Sequence, residues 1–268
     1  MSESSIIARH FSRGSRHYHT EARVQRWMAD RLAENLPRPE ALPPGPLLDI
    51  GCGTGYLTSC LLDRYPGREL AAQDMAPGMI RKAMEMIPGD RVNWHCADAE
   101  TVLPDGPFSL IVSNAAFQWM KHLPELLLAL KKRLQNGGTL AFATFGPDTF
   151  LELKNAFNRA VNREGNHPLI YRELPYLSME KWVELLEITF GDAPMVASRV
   201  METEHYPSAF DFLRSVSRIG ASVSQPSVTP PSVIRRLCEQ YDQEHSGPDG
   251  TAVRYEVLFF RVGPVAIL

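Results

Sequence analysis

Apolar positions in the first part of the chain recur at steps of three and four. Val24, Trp27, Met28, Leu32 and Leu36 fall on one stripe, which marks an amphipathic helix, and the spacing predicts a helix over residues 11–36. Prolines at positions 37, 39, 43, 44 and 46 end it and stiffen the connection that follows. The pattern then changes to short continuous apolar runs separated by helical stretches. Residues 47–50, 69–73, 91–96, 108–113 and 139–144 read as strands. Residues 56–64, 77–86 and 123–134 read as helices, with Pro77 at a helix start and Asn136-Gly137-Gly138 as a helix stop. Strand and helix alternating over about 100 residues predicts βαβ units and a mainly parallel sheet. Right-handed crossovers then put the ligand crevice at the carboxyl ends of the strands.

After Phe145 the pattern loosens. Residues 150–161, 179–188, 209–219 and 232–241 read as helices, residues 196–206 and 255–262 as strands, and residues 165–175 and 221–231 as loops. This divides the chain into an N-terminal helical lid and linker (1–45), an α/β core (46–145), and a C-terminal part (146–268) of inserted helices and final strands.

Composition narrows the class. In 268 residues, 44% are hydrophobic and 22% charged, and the formal net charge is −3, the usage of an ordinary globular chain without the dense basic surface that nucleic-acid binding needs. Of the four cysteines, Cys52, Cys60, Cys96 and Cys238, none forms a CxxC pair or stands at zinc-ligand spacing from a histidine. No metal is expected, and the thiols are expected to be reduced. The first ten residues lack an apolar signal core, and no apolar run approaches a membrane span. The expectation is a cytoplasmic monomer.

The chemistry concentrates where the strands end. After the first strand comes Asp49-Ile50-Gly51-Cys52-Gly53-Thr54-Gly55. Glycines there permit a tight turn and bring backbone close to a ligand, ahead of free helix N-terminal amides. Asp49 can receive a ligand ammonium or order the turn. A dinucleotide loop reads GxGxxG; here the third glycine arrives one position early, which opposes an NAD-dependent oxidoreductase. Asp74 ends the second strand, about 25 positions on, near the place of a ribose-binding acid; it is equally placed to cap the next helix. Ala97-Asp98-Ala99 follows the third strand, where the carboxylate can accept from an adenine amine and the Ala99 amide can meet a ring nitrogen, or where Asp98 is a plain loop residue. Asn114 follows the fourth strand, at the far end of such a ligand or as a turn residue.

Four successive strand ends, each with a polar group suited to one section of one ligand, resemble the class I S-adenosylmethionine-dependent methyltransferase family over residues 47–144. That resemblance implies an S-adenosylmethionine cofactor, released as S-adenosylhomocysteine, with Met75 also at the cofactor. It implies a doubly wound, Rossmann-like α/β fold whose seven-stranded, mostly parallel sheet carries one antiparallel strand near its end, for which residues 255–262 are the candidate.

Further stretches narrow the resemblance. They are His10-Phe11-Ser12-Arg13-Gly14-Ser15-Arg16-His17-Tyr18, then Asn114-Ala115-Ala116-Phe117-Gln118-Trp119, then the run from Phe212 to Ala221 with Arg214, Arg218, Ile219 and Gly220, and last Arg254-Tyr255-Glu256-Val257-Leu258-Phe259-Phe260. Together they resemble the malonyl-acyl-carrier-protein O-methyltransferases of biotin synthesis across nearly the whole chain. Ser15, Ser217 and Arg254 depart from that family's usual residues.

The resemblance implies methyl transfer to the free carboxylate of a malonyl thioester borne by an acyl carrier protein, under a helical lid and a small helical insertion. It makes Tyr18 a lid residue over the cofactor and lines the acceptor pocket with Gln118 and Trp119; packed structural aromatics are the other reading of these positions. A carboxylate with a reference pKa of about 4 is already ionised at neutral pH, so no general base is expected. A cation must hold it, and an arginine fork suits a carboxylate. Arg172, Arg199, Arg214 and Arg218 are the candidates. Arg214 is favoured as the positioning residue, with Arg218 as second basic contact, and surface ion pairs are the plain alternative for each. The competing functions are methylation of a small carboxylic acid or lipid-like metabolite and a catalytically silent adenosylmethionine-binding module.

Overall fold

The computed structural model describes residues 3–163, 176–221 and 231–264. Two helices come first, α1 (Glu3–Glu21) and α2 (Arg23–Glu34). The single helix expected over residues 11–36 is therefore corrected: it starts at Glu3 and breaks at Ala22, where ψ is 57°. Ile7 explains the early start, because it is buried where α1 lies on the core, a tertiary contact that outweighs weak local propensity. The break lets α1 cross the strand ends while α2 packs on the helix that follows the first strand.

The core follows as β1 (Leu47–Ile50), α3 (Tyr56–Arg64), β2 (Leu70–Asp74), α4 (Pro77–Met86), β3 (Val92–Cys96), β4 (Phe108–Asn114), α5 (Leu123–Arg133) and β5 (Leu134–Phe145). After it come α6 (Leu151–Arg163), α7 (Met179–Phe190), β6 (Met195–Tyr206), α8 (Ala209–Arg218), α9 (Pro231–His245), β7 (Ser246–Gly247) and β8 (Gly250–Val262). The loops expected at 165–175 and 221–231 lie almost wholly outside the described residues.

The sheet runs β3-β2-β1-β4-β5-β8-β6, with the two-residue β7 paired to β8. Strands β1 to β5 are mutually parallel. β8, which contains the predicted strand 255–262, lies antiparallel between β5 and β6. Strand order reverses between β1 and β4, so a crevice opens there at the carboxyl ends. β5 starts five residues before the expected strand. A register shift opposite Phe108 and Leu110 absorbs Asn136-Gly137-Gly138 as an irregularity of the strand.

Alternation along the strands builds two cores. Leu47, Leu70 and Leu110 face α2 and α3, meeting Val24, Met28 and Leu61. Leu48, Ile50 and Ile111 face the other way, toward Leu126, Leu130 and Trp182 of α5 and α7. Both faces of the parallel strands are covered, which is why they read as unbroken apolar runs. The four cysteines are free.

Close backbone approach seats α1 over the strand ends. A Cβ on Gly78 would stand 2.5 Å from the Ser12 carbonyl oxygen, and one on Gly14 would stand 2.5 Å from the carbonyl carbon of Ile219. Ser12 Oγ also accepts the Gly78 amide at 3.1 Å, and the buried Ser15 hydroxyl donates to the Ser12 carbonyl at 3.0 Å. Gly78→Ala raises intrinsic helix propensity by about 1 kcal/mol, yet it should destabilise the protein by about 1–3 kcal/mol through the clash with α1. Denaturant unfolding, with hydrogen exchange of α1 amides, measures this; a more stable variant with unchanged exchange would refute the contact.

Candidate active site

The turn after β1 is made by backbone that tolerates little bulk. Gly51, Gly53 and Gly55 have φ of +67°, +55° and +84°, a region costly for a side chain. A Cβ on Gly51 would overlap that of Ala116. The amides of Gly51 and Cys52 donate to the Gln73 carbonyl at 2.8 and 3.0 Å, tying the turn to β2.

Two carboxylates flank this turn, Asp49 buried and Asp74 half-buried. Asp74 Oδ2 accepts the Gly53 amide at 3.0 Å and Oδ1 accepts the Ala76 amide at 2.8 Å. Burial pushes Asp74 up to about 6, against those hydrogen bonds. The helix cap itself is Ala76, so Asp74 joins two loops rather than capping α4. Asp49 is fully buried on β1, and Thr58 donates to its Oδ2 at 2.6 Å. Among the described residues its Oδ1 has no hydrogen-bond partner. Burial raises Asp49 to about 7; the Thr58 bond opposes this and the charge of Asp74 adds to it.

The other strand ends behave alike. Asp98 Oδ1 accepts the Glu100 amide at 3.0 Å. Asn114 donates through Nδ2 to the Gln25 carbonyl at 2.8 Å, and its Oδ1 is buried without a partner. Ala115 beside it holds φ of 52°, the kind of backbone strain that gathers at ligand sites.

Three adjoining cavities meet at Tyr18. The first, of about 590 Å³, is lined by Gly51, Gly53, Asp74, Met75, Asp98, Ala99 and Asn114. The second, of about 420 Å³, is lined by Asp49, Gly51, Gly53 and Asn114, with Gln25 and Arg26 of α2. The third, of about 610 Å³, is lined by Gln118, Trp119, Phe145, Phe150, Tyr176, Tyr206 and Tyr255. Tyr18 lines all three, and burial, helped by the Asp74 charge, pushes its hydroxyl far above the ordinary phenol value. Phe11 meets the Trp119 ring edge-on at 5.2 Å.

Not every nominated residue reaches a cavity. Gly55 lines none of the three; its missing Cβ admits Ala83, 3.2 Å from where that atom would be. Gln118 lines the third, but its amide is committed to the Ala115 carbonyl at 2.7 Å and the Thr144 hydroxyl at 3.0 Å. Arg214 is exposed and lines none of these three cavities, so it does not stand at the expected positioning place within them. The cause is helix phase. Phe212, Ser215, Val216 and Ile219 of α8 and its C-terminal turn point inward, so positions 214 and 218 share the outer side. Arg218 pairs with Glu21 at 3.0 Å, and Arg199 with Glu256 at 3.3 Å. Arg172 lies outside the described residues. Among the described residues, those lining the third cavity include no lysine or arginine.

Several site residues escaped the sequence reading. Glu204 of β6 pairs with Arg23 and accepts the hydroxyls of Tyr206 at 2.6 Å and Tyr255 at 3.3 Å. The Arg23 guanidinium also stands 5.0 Å from the Tyr206 ring centre. These residues come from three distant stretches of chain; the aromatic, alternating run at 255–260 was the signal available. Among the described residues no group of three or more His, Cys, Asp or Glu could hold a metal, and no helix is long and apolar enough to cross a membrane.

A crevice at the reversal of a doubly wound sheet, an early-glycine turn and acids at successive strand ends define an S-adenosylmethionine-dependent methyltransferase of class I. Residues 48–142 match the family model described as a methyltransferase domain. The chain resembles the plantazolicin methyltransferase BpumL in complex with SAH (TM-score 0.56, 17% identity, 98% of this chain and 95% of that one). It also resembles the YcgJ protein of a Bacillus (TM-score 0.58, 13% identity, 89% and 99%). The malonyl-[acyl-carrier protein] O-methyltransferase of Paenibacillus sp. (strain JDR-2) is 35% identical over 97% of this chain and 98% of its own length. That of Anoxybacillus flavithermus is 34% identical over 98% of both. This chain belongs to that family.

The raised carboxylates set a pH dependence. Between the ordinary carboxylate value and about 6 to 7, folded Asp49 and Asp74 keep protons that the unfolded chain has released. Their contribution to stability is therefore complete below about pH 4 and is lost as pH rises through 6 and 7. Without ligand, the unfolding free energy should fall by on the order of 4 kcal/mol between pH 5 and 7.5 from these two groups. Asp49→Asn should flatten that slope in urea titrations; an identical slope in the variant would contradict the assignment.

Proposed function

We propose that this enzyme transfers the methyl group of S-adenosylmethionine to the free carboxylate of a malonyl-acyl-carrier-protein thioester, the opening step of pimeloyl and biotin synthesis. The observation that carries this reading is the third cavity, an aromatic chamber that meets the polar clefts only across Tyr18, Phe11 and neighbouring wall residues. The names of the relatives support the choice of acceptor.

The residues present fit the cofactor. Asp49 Oδ1 and Asn114 Oδ1 are buried acceptors with nothing to accept, a costly state that a ligand ammonium relieves. Gly53 leaves bare backbone facing Tyr18, with room for a nucleoside, while the missing Cβ of Gly51 admits Ala116. Asp74 and Met75 would hold the ribose side and Asp98 and Ala99 the adenine, with Tyr18 closing over the methionine end. The cofactor supplies a methyl group on a sulfonium, strongly electrophilic and with a neutral leaving group.

The protein then has only to position and shield. The acceptor is ionised at neutral pH, so no base is assigned. Tyr18 is a neutral phenol that excludes water from the junction of the cavities. Trp119, Gln118 and the tyrosines held by Glu204 wall the acceptor. Residues 1–45 act as lid and linker, residues 46–145 hold the cofactor, and residues 146–268 shape the acceptor side. Arg214 and Arg218, on the outside of α8, suit contact with an acidic carrier protein whose phosphopantetheine arm reaches inward. The aromatic lining also favours a second reading, a lipid-like or small carboxylic acid acceptor.

Methyl-transfer assays separate the two. The carrier-bound malonyl thioester should exceed free malonate and short acids in kcat/KM by about tenfold or more; no such preference would leave the second reading standing. On the cofactor side, Asp74→Ala should weaken S-adenosylhomocysteine binding by about 10- to 100-fold in calorimetry. Unchanged affinity would remove Asp74 from the site.

A further inference from the structure

The second cavity is lined by a cation that no carboxylate among the described residues pairs. Arg26 is half-buried in the first turns of α2 and lines the cavity with Asp49 and Asn114. Its guanidinium has no carboxylate partner among the described residues, whereas Arg23, one turn earlier, is paired with Glu204. The Tyr56 hydroxyl, which lies in the field of Arg26, is already committed to Asp30 at 2.9 Å. An arginine brought toward a cleft without a counter-ion keeps its desolvation cost and gains no pairing in return.

The same cavity holds the opposite deficit. Asp49 Oδ1 and Asn114 Oδ1 are buried acceptors without donors. A free guanidinium and two free acceptor oxygens in one cleft are complementary to a zwitterion, with a carboxylate at one end and an ammonium at the other. Their spacing is held firmly. Val24 and Met28 bury α2 in the core, and Asn114 Nδ2 donates to the carbonyl of Gln25, the residue before Arg26.

From this we infer that Arg26 binds the α-carboxylate of the cofactor's amino-acid end through its guanidinium, while Asp49 and Asn114 receive the ammonium. The inference rests on the reading that this crevice takes S-adenosylmethionine, and adds to it a residue from the helix after the lid. It gives α2 a direct part in cofactor binding. It also places one helix between both subsites, because Gln25 lines the second and third cavities alike.

Ligand truncation tests this without turnover. Calorimetry would compare wild type, Arg26→Ala, Arg26→Lys and Asp49→Asn against three nucleosides. These are S-adenosylhomocysteine, its decarboxylated analogue, which lacks only the carboxylate, and 5′-methylthioadenosine, which lacks both charged groups. Arg26→Ala should weaken S-adenosylhomocysteine by about 10- to 100-fold and change the other two by less than about threefold. Arg26→Lys should recover much of the loss. Asp49→Asn should weaken both ammonium-bearing ligands and spare methylthioadenosine. Equal weakening of all three nucleosides by Arg26→Ala marks a structural role and overturns the assignment, as does unchanged binding of S-adenosylhomocysteine. Failure of the wild type to bind S-adenosylhomocysteine would sink the cofactor reading itself, and this inference with it.

Discussion

Asp74 accepts one amide from the turn after β1 and one from the turn after β2, so a single carboxylate sets the distance between two strand ends. It does this while half-buried, with its proton affinity raised by the loss of solvent. Asp49 sits close enough for the two charges to oppose each other. The floor of the crevice is thus rich in negative charge or in protons, and short of cations. A pyrophosphate would add to that excess. A ligand with an ammonium and a sulfonium relieves it, so electrostatics and glycine spacing point to the same class of nucleoside.

The roof depends on backbone contact rather than on side-chain bulk. Gly14, Gly78 and Gly220 each leave out a Cβ where two chains nearly touch, and that closeness sets the height of α1 above the sheet. Tyr18 and Phe11 hang from this helix. Tyr18 therefore stands where all three cavities meet, separating polar clefts from an aromatic chamber. The far wall of the chamber is held by charge: Glu204 gathers Arg23, Tyr206 and Tyr255, linking the hinge of the roof to β6 and β8.

Much of the site could be read before any fold was known, and the reason is geometric. In a parallel sheet every strand points its carboxyl end the same way, so a polar residue after each apolar run lands at one rim. Asp74, Asp98 and Asn114 are of this kind, and Asp49 stands one residue before the end of β1. The arginines are not. Arg214 belongs to a motif, but a motif does not state which side of a helix faces inward, and α8 turns that position to solvent. Gln118 likewise reaches its expected chamber, with its amide already engaged by Ala115 and Thr144. Residue type alone cannot show whether a polar group is free.

Local periodicity by itself determined the core helices, the early-glycine turn and the core strands apart from where β5 begins, because these depend on neighbours a few residues apart; the class of ligand came from the resemblance those strand ends carry. Only the tertiary structure decided the break at Ala22, the lengthened β5, the pairing of Glu204 with Arg23, and the placing of Arg26, without a carboxylate partner among the described residues, in the cleft that Asp49 also lines. Each of these depends on groups tens or hundreds of positions apart being pressed into contact, or held just out of it. No spacing along the chain carries that information, since it resides in which charges and carbonyls the packed core leaves without partners.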